Sequence, residues 1–188
     1  MTYDFDERLA FSQGERGERD ALMLKRIIRG CEKVIKTDVE TDKKGIDYIA
    51  TLKGGAEIGI DIKARERGAS KFWKYGEAEL ALEIWSVIPP NRDNEDKGKI
   101  GWTLSNETNV DYIFFTFDVA DWNKCYLLPY QLLRMTFRKN VNDWFNRYFH
   151  ARQTSNDWQS AAVFVPVSVV IDAIKAEMQV ITKECDKS

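Results

Sequence analysis

The period of apolar and polar positions changes several times along the chain, and each change predicts an element. Ser12 followed three residues later by Glu15 has the form of a capping box. Ala21, Leu22, Ile27 and Ile28 then mark the inner side of a helix running to about Gly30. Residues 31–41 read as a strand of mixed polarity. Two apolar runs follow, GIDYIATL and IGIDIK, joined through Lys53, Gly54 and Gly55, a three-residue loop in which glycine is free to take the left-handed backbone that such hairpins need. With Gly54 at the midpoint, one face pairs Ile46 with Ile62, Tyr48 with Ile60, Ala50 with Ile58 and Leu52 with Ala56. The other face pairs Asp47 with Asp61, Ile49 with Gly59 and Thr51 with Glu57. The first face is apolar throughout, and the second sets two carboxylates side by side.

Beyond the hairpin, residues 77–88 satisfy both the helical and the strand period. Pro89 and Pro90 follow, and Ile84, Trp85, Val87 and Ile88 favour extended backbone, so a strand is expected at 80–88. Residues 93–99 form a polar loop. Its acidic spacing is unlike a calcium loop in two respects, since Lys97 stands where an oxygen ligand is wanted and no glutamate closes it. Strands are expected at 111–117, 125–128 and 161–166, a helix at 129–148 and an amphipathic terminal helix at 169–181. With no internal repeat or interdomain linker, the expectation is a single α/β domain over residues 1–188, a mixed central sheet flanked by helices. Its core would span about 12–130, with a C-terminal elaboration over 130–188.

Composition narrows the function classes. A 188-residue chain with 44% hydrophobic and 31% charged residues has enough apolar material for a core, which excludes disorder. Cys31, Cys125 and Cys185 are odd in number and without CxxC spacing, which excludes a disulfide framework and a zinc site and predicts a reducing, cytoplasmic setting. There is no basic and apolar leader, and no apolar run reaches the roughly 20 residues of a membrane span. His150 is the only histidine, so it reads as a surface or stacking residue, and Ser86 and Ser105 lack a nucleophile elbow. The net charge of −2 hides two basic stretches interleaved with aromatics, 63–75 and 134–152. Arg65, Arg67, Lys71, Trp73, Lys74, Arg138 and Lys139 are accordingly candidates for phosphate contact and base stacking. The competing reading makes each stretch a solvated face backed by core aromatics.

Opposed carboxylates repel at strand spacing, so Asp47 and Asp61 call for a cation between them, and Lys63 lies on the face of Asp61 two residues along. A helix, a strand and then a hairpin carrying an acid, followed by acid, any residue and lysine, resembles the PD-(D/E)XK nuclease superfamily, and among its branches the Holliday junction resolvase-like members. The likeness covers roughly residues 12–90. The first acid falls on Asp47, preceded by Ile46 where the motif has proline, and the second acid and lysine fall on Asp61 and Lys63. That family's helix often adds a glutamate; Glu15 is accounted for by capping, which leaves Glu18.

The resemblance implies a restriction-endonuclease-like fold and Mg²⁺, with Mn²⁺ able to substitute, held by Asp47, Asp61, the Ile62 carbonyl and Glu18. Such an ion suits one or two carboxylates with several retained waters. Lys63 would orient or deprotonate the attacking water and stabilise charge on the phosphate. The implied activity is endonucleolytic cleavage of branched or structured DNA, and the implied assembly a homodimer. Two other readings stay open, an inactive nuclease-fold module that binds nucleic acid or a protein, and an RNA endonuclease. Glu83 fits either the acidic cluster or a surface position.

Overall fold

The computed structural model describes residues 15–42, 45–65, 73–88, 98–117, 125–154 and 159–185, and in it the chain is a mixed α/β protein. Helix α1 (Glu15–Ile27) leads into strand β1 (Cys31–Lys36), the single turn α2 (Val39–Asp42) and the hairpin of β2 (Tyr48–Leu52) and β3 (Glu57–Arg65). Strands β4 (Glu79–Val87), β5 (Lys99–Ile100), β6 (Tyr112–Phe117) and β7 (Cys125–Pro129) follow, then α3 (Tyr130–Arg147), β8 (His150–Thr154), β9 (Gln159–Pro166) and α4 (Val167–Cys185).

Among the described residues the strands form two sheets, a mixed one of order β1-β2-β3-β6-β7 and an antiparallel one of order β5-β4-β9-β8. Where the sequence predicts one central sheet, β4 instead leaves it and pairs with β9, Leu80 opposite Val165 and Leu82 opposite Val163. The described residues fall into two compact units, one within 1–62 and 109–112 and the other within 63–108 and 113–188.

In the first unit, α1 buries Gly17, Asp20 and Leu24, and its stripe continues to Ile28 just past its end. This corrects the predicted inner side, because Leu22 and Ile27 are 47% and 42% exposed. A small residue and a carboxylate occupy the inner positions of the first turns, which hides the helical stripe from an apolar count. Gly17 lies close against the hairpin there: the Tyr48 hydroxyl donates to its carbonyl at 3.1 Å, and a methyl group on Gly17 would touch that hydroxyl at 3.4 Å.

The predicted strand over 31–41 stops at Lys36. Asp38 then accepts the Thr41 amide at 2.8 Å and caps α2, a side-chain bond that competes with strand continuation. The Ser12 and Glu15 capping box, the loop around Lys97 and Cys185 lie outside the described residues and side chains.

The second unit is built on the apolar faces of its helices and sheet. Tyr130, Leu133, Phe137 and Trp144 of α3 and Val167, Val170 and Ile174 of α4 recur at helical spacing and are buried, as are Leu80, Leu82, Val163 and Val165. Full burial contributes about 1.5–3 kcal/mol for each large aliphatic side chain. Buried Glu79 accepts the Lys74 and Tyr75 amides, and Glu77 accepts both the amide and the hydroxyl of Ser168 in the first turn of α4. That carboxylate satisfies helix-terminal donors where α4 has no acid in its own first turn. Strand β8 carries no signal in the sequence; it lies at the edge of its sheet and its HARQT sequence has no apolar alternation.

Candidate active site

The hairpin forms with the predicted register: Tyr48 pairs with Ile60, Ile49 with Gly59, Ala50 with Ile58 and Thr51 with Glu57. The Leu52 amide donates to the Ala56 carbonyl at 2.8 Å and closes the loop, where Gly54 and Gly55 take φ values of +94° and +85°. Tyr48, Ala50 and Ile60 are 3%, 0% and 0% exposed, so the apolar face is buried at its centre, while Leu52 and Ile58 are half-buried and Ala56 near the loop is exposed.

At Asp47 the ladder leaves its register. A regular continuation would give the Ile62 amide to the Ile46 carbonyl, whereas the Ile62 amide donates to Asp47 Oδ2 at 2.6 Å and the Asp47 amide donates to the Ile60 carbonyl at 2.9 Å. The freed Ile46 carbonyl accepts the Thr37 hydroxyl, and the Thr37 amide donates to the Asp47 carbonyl at 2.9 Å. The Ile46 side chain lies instead beside Gly59, where an added methyl would meet it at 3.5 Å. Asp47 is therefore fixed by its backbone and by one carboxylate oxygen. It is held against the residue that follows Asp61.

Asp61 is buried at 4% exposure, on the strand face that alternation assigns also to Gly59 and Lys63. The Gly59 amide donates to Asp111 Oδ2 at 2.7 Å and the Asp111 amide returns a bond to the Gly59 carbonyl at 2.9 Å, so this acid braces the same strand. Asp47, which precedes β2, is held by the Ile62 amide next to Asp61 on β3, and a hard cation takes one or two carboxylates of this kind and keeps water.

Within the second unit, Lys63 Nζ stands 5.4 Å from the centroid of the Trp102 ring. The indole is anchored on both sides of its backbone. The Trp102 amide donates to Glu83 Oε2 at 3.2 Å, and the Trp102 carbonyl accepts the Tyr130 hydroxyl at 2.7 Å. Glu83 Oε2 also accepts the Ser86 hydroxyl at 2.6 Å. Glu83 thus has a structural partner set: it shapes the turn that carries Trp102. Gly101 belongs to this turn for steric reasons, since a methyl group there would fall inside contact distance of the Glu83 backbone.

The remaining candidates are dispersed. Glu18 lies on the exposed side of α1, and the acid on the buried side is Asp20. Spacing from Ala21 and Leu22 points to the wrong acid because Leu22 faces outward. Among the described residues no group of three or more histidine, cysteine or acidic side chains converges in metal-holding geometry. Trp73 packs edge-on against Phe117 at 6.1 Å, and Lys74 Nζ lies over the Phe149 ring at 4.1 Å. Arg138 donates to the Leu104 carbonyl and Asn106 Oδ1, each at 2.8 Å, and Lys139 pairs with Glu177 at 2.6 Å. These four make contacts within the chain, closer to the reading of a basic face backed by core aromatics. The Arg65 side chain, Arg67 and Lys71 lie outside the described residues and side chains. No helix among the described residues is long and apolar enough to cross a membrane.

No protein-family model, curated protein or solved structure matches the chain.

Proposed function

We propose that the chain is a Mg²⁺-dependent nuclease of the PD-(D/E)XK type, with a restriction-endonuclease-like core around the hairpin. The reading is supported most by the hydrogen bond from the Ile62 amide to Asp47 Oδ2, which holds one motif acid against the strand segment that carries the other. Asp47, Asp61 and the Ile62 carbonyl would hold the ion, and Mn²⁺ would substitute. Bound there, the ion would lower the pKa of water and offset charge on a phosphodiester. Lys63 orients the attacking water and offers three donors to phosphate oxygens, and Trp102 limits where its ammonium can stand. Glu18 is left out of this set because it is exposed. DNA with branches or other structure as substrate, and a homodimer as the working form, are what the resemblance to the junction resolvase-like members implies.

A second reading is favoured by a specific observation: Lys74, Arg138 and Lys139 are engaged within the chain. On this reading the chain keeps a nuclease-like hairpin and binds without cutting. Incubation with linear, nicked, single-stranded and four-way-junction DNA and with RNA, each in Mg²⁺ or EDTA, separates the two. Cleavage that needs Mg²⁺ and vanishes in Asp61→Asn supports the enzyme. Mn²⁺ binding by calorimetry without cleavage of any substrate supports the binding module, and the absence of both defeats the metal site. Preferential cleavage of RNA would reassign the substrate.

A further inference from the structure

A cavity of about 400 Å³ lies within the second unit, between strands β4, β9 and β8 of the four-stranded sheet and the last turns of α3. Its floor follows from register. Ala161 on β9 is opposite both Trp85 on β4 and Arg152 on β8, and directly opposed residues share a face. An indole and a guanidinium thus flank an alanine, and the missing side-chain volume between them is the cavity. One wall is a stacked pair, Phe145 on α3 and His150 on β8, with ring centroids 4.0 Å apart and planes 22° apart. Asn142 and Asn146, one helical turn apart, also line it.

The charge of this lining is one-sided. Among the described residues it contains the guanidinium of Arg152 and no carboxylate, and Arg152 has no ion pair or hydrogen bond there. Flat aromatic walls suit a planar ring, carboxamides match the mixed donors and acceptors on a heterocycle edge, and an uncommitted guanidinium suits a phosphate. The volume lies in the range of pockets that enclose small organic ligands. The geometry points to a binding site for a nucleotide unit, with the base against Trp85 and the Phe145–His150 stack, Asn142 and Asn146 at its edge, and the phosphate on Arg152. The occupant is a free nucleoside monophosphate or one nucleotide of a single strand. This assignment uses no residue of the acidic hairpin and stands whether or not the chain cuts nucleic acid.

Calorimetric titration of the full chain in EDTA tests it, using the four common nucleoside monophosphates, their nucleosides, inorganic phosphate and a short single-stranded oligonucleotide. Saturable binding of at least one monophosphate is expected, weaker by about tenfold for its nucleoside, the scale of one charge-assisted contact. Ala161→Leu fills the floor and should abolish binding. Arg152→Gln, at an exposed position that tolerates change, should bring the monophosphate down to the affinity of the nucleoside. Tighter binding of the mononucleotide than of the oligonucleotide identifies a free ligand, and the reverse identifies a strand. The proposal is overturned if no monophosphate binds, if inorganic phosphate binds as tightly as the monophosphate, or if both Arg152→Gln and a folded Ala161→Leu protein keep wild-type affinity.

Discussion

Asp47 has two tasks that substitutions can separate. Its carboxylate accepts the Ile62 amide, and in the proposed enzyme it also holds the ion. Asp47→Asn keeps an oxygen acceptor and loses the charge, so metal affinity and cleavage should collapse with little change in melting temperature. Asp47→Ala removes the acceptor as well and should cost a further ~1–3 kcal/mol, read from denaturant unfolding. Equal stability of the two variants would mean that the Ile62 bond contributes nothing to the fold. Lys63 is tested through its neighbour: Trp102→Leu should slow cleavage and leave Mn²⁺ affinity unchanged, while Trp102→Phe restores part of the rate because a ring remains beneath the ammonium. A Trp102→Leu protein that cuts at the wild-type rate would remove the indole from the site. At Cys125, burial pushes the thiol up, so its thiolate fraction at neutral pH falls and iodoacetamide should modify it more slowly than a free thiol of similar exposure. Mass spectrometry over a time course reads this directly. The register of Tyr48 to Thr51 against Glu57 to Ile60 was legible because a three-residue loop and an apolar face together specify it, whereas the predicted pairing of Asp47 directly opposite Asp61 is replaced by the bond to Ile62. The exchange of hydrogen bonds at Asp47 was not legible, because it depends on the Thr37 contacts of a distant segment.

Elements were legible where a single period dominates and obscure where tertiary bonds decide. The helix at 129–148 and the strand at 80–88 appear as α3 and β4 with ends shifted by one residue, because each has an apolar stripe and a proline boundary. The stop of β1 at Lys36 depends on Asp38 capping a single turn, and β8 depends on pairing with β9 and not on its own polar sequence. The assignment of β4 to a second sheet was equally hidden, since local pattern says nothing about which strand is the partner. The turn after β5 gives a sharp test of element geometry. Its Gly101 amide donates to the Ile84 carbonyl at 2.8 Å, and a side chain at this position would press on the backbone of β4. Gly101→Ala should destabilise by about 1–3 kcal/mol through forced backbone displacement, whereas Gly55→Ala in the open hairpin loop should cost about 1–2 kcal/mol through its positive φ alone. A Gly101→Ala protein with wild-type unfolding would show that β4 and this turn yield freely.

For the whole molecule, the question is whether its cations form a phosphate-binding track. The formal net charge is −2, so general attraction to a polyanion is absent and any grip must come from local groups. Sequence treats 63–75 and 134–152 alike, as basic runs with aromatics, and among the described residues the cations of the second have named partners. Arg138 fastens the loop at Leu104 and Asn106, and Lys139 joins α3 to α4 through Glu177, whose side chain is only 12% exposed. Turning either cation toward phosphate would break a bond that the fold uses. Arg138→Ala with Lys139→Ala should therefore lower thermal stability and leave the slope of log affinity against log salt unchanged for DNA in EDTA. If 63–75 carries phosphate contacts, Arg67→Ala with Lys71→Ala should make that slope shallower by roughly 0.7–0.9 for each phosphate that is no longer neutralised. Salt-series binding and melting curves on both double variants distinguish the stretches. A shallower slope in the Arg138 and Lys139 variant would show that these bonds open for nucleic acid, and the path of the strand would then run along α3.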